Sequence, residues 1–176
     1  MPLKVGDKAP QFKAKDQDGN DISLSDFSGK KIVLYFYPKD DTPGCTAQAC
    51  NLRDNYHSLL KQGYVVLGVS SNDEKSHKKF QVKYSLPFPL VADPDKTINE
   101  LYGVWAEKSM YGKTFMGTIR TTFIIDEKGI ITEIINKIKT DDHAAQILHE
   151  NIEAPVKTKK KVAEKKVASK NIIQKK

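Results

Sequence analysis

Residues 31–45 read Lys31-Ile32-Val33-Leu34-Tyr35-Phe36-Tyr37-Pro38-Lys39-Asp40-Asp41-Thr42-Pro43-Gly44-Cys45. The first seven form a continuous β-branched and aromatic run, the mark of a buried strand. Thr42 and Pro43 are favoured residues for a helix N-cap and first helical position. The stretch therefore predicts a strand handing over to a helix, with Cys45 in the first helical turn. Unpaired N–H groups and the helix dipole favour an anion at that spot. The thiolate is the reactive form of cysteine, so the position is primed for chemistry.

Outward from this stretch the same two signals alternate. Tyr64 to Val69 is a second apolar run. Thr121 to Ile125 and Ile130 to Ile135 flank Asp126-Glu127-Lys128-Gly129, a hairpin signal. Phe12 to Ser23 reads as a hairpin around Asp18-Gly19-Asn20. Helices are predicted from Thr42 to Gln62, from Asp73 to Tyr84, and from about Asp141 to Ile152. Strands alternating with helices, followed by a late hairpin, indicate an α/β sandwich with a mixed sheet.

The only other cysteine is Cys50. At 100° per residue, Ala49, Leu52, Tyr56, Leu59 and Leu60 fall within about 60° of Cys45 and make the buried stripe. Cys45 thus points inward. Cys50 lies about 140° away, towards the outside. Five residues of intact helix put the two Cα atoms about 8–9 Å apart. A disulfide needs them within about 7 Å. Bonding these cysteines therefore requires the first turns of the helix to unwind. Read alone, Cys50 is equally consistent with a small buried hydrophobe or a plain surface thiol, whereas the Thr42-Pro43-Gly44 lead-in argues against that bland reading for Cys45. Two cysteines at this spacing do not make a zinc site.

The chain has 176 residues, which suits one domain that buries its own core. The formal charge of +7 is unevenly spread. From Ala154 onward there are nine Lys and one Glu, so the tail carries +8 and the body −1. The expected organisation is a globular domain over 1–153 and a disordered Lys-rich tail over 154–176, where Lys160–Glu164 nearly repeats as Lys165–Ser169. The tail is read as a solubilising extension, with nucleic-acid contact as the alternative. The N-terminus lacks the apolar core of a signal peptide, and no run reaches the roughly 18 apolar residues of a membrane span. A cytoplasmic location follows as the expectation.

Other residues attract blander readings. His57, His77, His143 and His149 show no ligand spacing, so no metal and no cofactor is expected. Asp40 and Asp41 read as loop charges before the helix. Lys75, His77, Lys78 and Lys79 read as a solvated helix face. Trp105, Tyr111, Phe115 and Met116 read as ordinary packing rather than the mouth of a pocket.

Around Cys45 the chain resembles the peroxiredoxins. Pro38, Thr42 and Cys45 match their Pro-x-x-x-Thr/Ser-x-x-Cys pattern. The string TPGCTAQACNLRDN is similar to the bacterioferritin-comigratory, or Q-type, subfamily, in which a second cysteine often follows five residues later. Val5–Pro10, Tyr102–Lys113 and Arg120–Asp126 resemble the same subfamily, and the likeness runs from about Leu3 to Ile152. It implies a thioredoxin-like sandwich, a central mixed sheet flanked by helices, with an N-terminal hairpin. It implies Cys45 as the peroxidatic thiol and Cys50 as the resolving one. Thr42 would hydrogen-bond thiolate and peroxide, and Arg120 would stabilise the thiolate and polarise the O–O bond. Gln48 would orient Arg120, and Pro38 would shape and shield the pocket. The implied activity is reduction of hydrogen peroxide and organic hydroperoxides with thioredoxin as reductant, in a chain that needs no partner subunit. Two competing readings are a dithiol–disulfide oxidoreductase, which the absence of Cys-x-x-Cys disfavours, and a redox-sensing module that binds nucleic acid through its tail.

Overall fold

The structure is a computed structural model that describes residues 2–149. Its sheet has seven strands in the order β2-β1-β5-β4-β3-β8-β9. These are β1 (Lys13–Lys15), β2 (Asp21–Ser23), β3 (Lys31–Phe36), β4 (Tyr64–Ser70), β5 (Leu90–Ala92), β8 (Thr121–Ile125) and β9 (Ile131–Ile135). The central strands β3, β4 and β5 are parallel. The remaining neighbours pair antiparallel, so the sheet is mixed, as expected. Parallel pairing needs long crossovers. Here β3 reaches β4 through α1 (Pro43–Asp54) and α2 (Tyr56–Lys61), and β4 reaches β5 through α3 (Glu74–Tyr84). A short α4 (Thr97–Leu101) leads to a separate two-stranded hairpin, β6 (Trp105–Met110) and β7 (Lys113–Thr118). The last described helix is α5 (His143–Leu148).

Alternation along β3 divides the interior. Ile32, Leu34 and Phe36 join Phe12, Ile22, Leu24, Val69, Ile98, Tyr102, Phe123 and Ile131 in one apolar core. Val33, Tyr35 and Tyr37 are just as buried and alternate with that set, on the sheet's other face. Tyr35 packs on Tyr37 and Phe88, and Tyr37 on Phe80 and His77 of α3. Gly68 on β4 makes this possible. A Cβ there would lie 3.0 Å from two carbons of the Tyr35 ring and 2.9 Å from Leu90.

The described residues up to His143 form one compact unit, and residues 144–149 fall outside it. The Lys-rich segment 154–176 lies outside the described residues, as does the end of the predicted third helix. Among the described residues no helix is long and apolar enough to cross a membrane.

Several expectations are corrected. The helix read as running from Thr42 to Gln62 is two helices, broken at Asn55, whose φ is −109° and ψ 14°. The break resets the helical phase. Leu59 stays fully buried while Leu60, assigned to the same stripe, is exposed. Tyr111, Phe115 and Met116 are exposed on the β6–β7 hairpin rather than packed. His77 is fully buried rather than solvated, and Asp40 is buried rather than a free loop charge.

Candidate active site

Cys45 is the third residue of α1 and is 1% exposed. Its inward direction agrees with the predicted stripe, in which Ala49 and Leu52 are also fully buried. Cys50 is half-buried, and both thiols are free. The two share one intact helix, so their Cα atoms stay beyond disulfide reach in this state.

Arg120 lies between β7 and β8, next to the end of β3, because Thr121 pairs with Phe36. Its Nη2 donates to Cys45 Sγ at 3.4 Å, and its Nη1 donates to Gln48 Oε1 at 2.7 Å. The planar guanidinium fork serves both acceptors at once. Gln48 sits one residue before Ala49 on α1 and is fully buried, so its carbonyl holds the fork in place. Gly44 leaves room for this approach, since a Cβ there would stand 3.2 Å from Arg120 Nη2.

Thr42 occupies the N-cap position with extended backbone, but its side chain does not cap the helix. The hydroxyl instead donates to the Lys39 carbonyl at 2.9 Å. With its single proton committed, the oxygen is left as an acceptor. The first helical bond runs from Thr46 N–H to the Thr42 carbonyl, so the N–H groups of Gly44 and Cys45 belong to the unpaired first turn. Pro38 is half-buried, directly beyond the buried Tyr37 at the end of β3. The structure thus brings Cys45, Gln48 and Arg120 into direct contact, with Thr42 and Pro38 on the same loop and Cys50 one and a half turns along.

Two neighbours escaped the sequence reading. Lys108 on β6 donates to the Thr118 carbonyl at 2.9 Å. Burial, and then the Arg120 charge, pull its pKa down, while a negative Cys45 works in the opposite direction. It is a second cation whose field reaches the site. Tyr35 is the other. Its phenol is pushed well up by burial first and then by Cys45 and Asp40. Neither residue type carries a spacing signal that would have marked it. A cavity of about 680 Å³ lies elsewhere, lined by residues such as Phe12, Lys15 and Ile98, and takes no part in this geometry.

The arrangement offers a buried thiol at a helix start, a guanidinium that bridges its sulfur and Gln48, and a second thiol on the same helix. The comparisons agree with that chemistry. The model of the AhpC/TSA family matches residues 5–134. A putative peroxiredoxin bcp from Coxiella burnetii is 49% identical over 148 residues, 84% of this chain and 98% of that protein. Peroxiredoxin Bcp from Escherichia coli K12 is 46% identical over 148 residues, 84% of this chain and 95% of its own length. Among solved structures, Xylella fastidiosa PrxQ superposes with a TM-score of 0.80 at 30% identity, covering 89% of this chain and 99% of that one. Xanthomonas campestris Peroxiredoxin Q gives 0.74 at 35% identity, covering 80% and 90%.

Proposed function

Because the chain belongs to the AhpC/TSA family, as a peroxiredoxin of the Bcp type, we propose that its peroxidase chemistry runs through Cys45, Arg120, Gln48, Thr42, Pro38 and Cys50 in the following roles. The Cys45 thiolate attacks the terminal oxygen of R–O–OH. The S–O bond forms as the O–O bond breaks, and the leaving R–O⁻ takes up a proton to become an alcohol, or water when the substrate is hydrogen peroxide. Arg120 stabilises the thiolate and the charge that shifts onto the leaving oxygen, as preorganised donors do. Gln48 fixes the guanidinium, and the Thr42 oxygen accepts the peroxide O–H. Pro38 shields the pocket from water.

The product is a sulfenic acid on Cys45, which condenses with a thiol. The Cys50 thiolate attacks the Cys45 sulfur, hydroxide leaves and is protonated to water, and a disulfide remains. That step requires the first turns of α1 to unwind, because the intact helix keeps the sulfurs apart. A dithiol reductant of the thioredoxin type then returns both thiols and leaves as its own disulfide. The cycle closes within one chain and suits a monomer in a reducing cytoplasm, in antioxidant defence.

The observation that carries this reading is the Arg120 fork on Cys45 and Gln48. Intact-mass analysis after one equivalent of hydrogen peroxide tests it. The chain should lose about two mass units, and a Cys45→Ser variant should not change. The Cys50→Ser variant should gain about one oxygen and stop cycling with thioredoxin. Normal cycling by Cys50→Ser would remove Cys50 from the mechanism.

A further inference from the structure

Asp40 and His77 are buried together beside the loop that leads into α1. Asp40 Oδ1 accepts from the Tyr37 hydroxyl at 2.6 Å. Its Oδ2 accepts from the Ser76 hydroxyl at 2.7 Å and lies 2.7 Å from His77 Nδ1. Its backbone N–H donates to Asn72 Oδ1 at 2.9 Å. The other ring nitrogen, His77 Nε2, lies 3.0 Å from the Val91 carbonyl. A carbonyl only accepts, so Nε2 carries a hydrogen. The close approach of Nδ1 to a carboxyl oxygen then needs a second proton between them, on nitrogen or on oxygen. One shared proton therefore joins the loop to α3, in a pair that is neutral overall in either form.

The next residue completes the attachment. Asp41 holds φ at 59°, in the left-handed region that costs most residues energy. Its carboxylate accepts from Lys83 Nζ and from the Tyr84 hydroxyl, both at 2.8 Å. A cleft of about 520 Å³ opens here, lined by Asp40, Asp41, Ser76, Lys79, Phe80 and Lys83. Polar bonds across this cleft thus fasten the loop to α3. The attachment ends one residue before Thr42, where α1 begins.

We propose that Asp40 and His77 are positioning residues for the peroxide reaction: their shared proton clamps the loop to α3, favouring the wound start of α1 that attacks peroxide over the unwound form that Cys50 captures. Both act through the loop rather than on the peroxide. The inference rests on the Cys45–Cys50 cycle given above.

Quenched-flow mass analysis of the full chain separates the two steps, since sulfenic acid, disulfide and sulfinic acid differ in mass. In His77→Leu, oxidation of Cys45 by peroxide should slow about threefold, since a shift of about tenfold in the wound–unwound balance, the scale of one charge-assisted hydrogen bond, divides between the two steps. Disulfide formation should accelerate several-fold, and the sulfinic share at excess peroxide should fall. Asp40→Asn keeps an amide that can bond both Tyr37 and His77, and should lie between that variant and the wild type in both steps. A merely structural defect would slow both steps together, and that outcome overturns the proposal, as do variant rates equal to wild type. If His77→Leu does not fold, Asp40→Asn decides by the same criterion. Failure of the wild-type chain itself to form the disulfide would instead sink the Cys45–Cys50 cycle.

Discussion

At the scale of single residues, the site depends on an absent side chain as much as on those present. Gly44 stands where a Cβ would press on Arg120 Nη2 at 3.2 Å. The fork donates to Cys45 at 3.4 Å and to Gln48 at 2.7 Å, so a shift of a few tenths of an ångström weakens both bonds. Alanine is otherwise the better helix residue, by up to about 1 kcal/mol. Gly44→Ala should therefore leave stability unchanged or slightly raised while slowing peroxide attack about tenfold. Denaturant unfolding and single-turnover peroxide kinetics measure the two effects, and a parallel fall in both would contradict this account of Gly44. Gln48 carries a related tension. Its Oε1 is taken by Arg120, while its Nε2 is buried with no partner among the described residues. Such a group costs about 1–3 kcal/mol, which fits a side chain placed for the guanidinium rather than for stability.

At the scale of elements, the proposed cycle asks α1 to be firm at one end and labile at the other. Beyond the cysteines, Leu52 is fully buried and Asn51 Nδ2 donates to the Asp141 carbonyl at 3.1 Å. Before them, the helix rests on its first bond, from Thr46 to Thr42. Oxidation to the disulfide should remove hydrogen-exchange protection from the amides of residues 46–50 and leave β3 and α2 protected. Unchanged exchange at 46–50 in the oxidised chain would mean that the disulfide forms without unwinding. Long apolar runs made β3, β4, β8 and β9 legible in the sequence, the Asp18-Gly19-Asn20 turn gave the β1–β2 hairpin, and Asp73 marked the start of α3. Three-residue β5 is too short to show a period. The β6–β7 hairpin hides for another reason. Its faces are largely exposed, so alternation is weak, and its two-residue turn is Tyr111-Gly112 instead of Asn-Gly. Both turn residues have positive φ, 53° and 77°, the geometry of a type I′ turn, which a tyrosine does not advertise.

At the scale of the whole molecule, the sheet order brings together groups that are far apart in sequence. Cys45 and Thr42 were legible from helix-start chemistry alone. Arg120 was not, because an arginine before a strand looks like any solvated charge, and only the antiparallel pairing of β8 with β3 delivers it to the thiol. Asp40 and His77 were misread for the same reason: their partnership spans two elements and leaves no local pattern. Residues 154–176, which carry +8, lie outside the described residues. A chain ending at residue 153 should keep its thioredoxin-driven peroxide turnover, measured as reductant consumption, and should lose any salt-sensitive affinity for polyanions. Loss of turnover would instead tie the tail to the reaction. Placing both cysteines on α1 also sets the kinetic order of the proposed capture step. In the proposed cycle, capture of the oxidised sulfur by Cys50 would be a first-order event, so its rate per molecule would be indifferent to dilution, and a few copies in a cell would resolve their sulfenic acids as fast as a concentrated solution does.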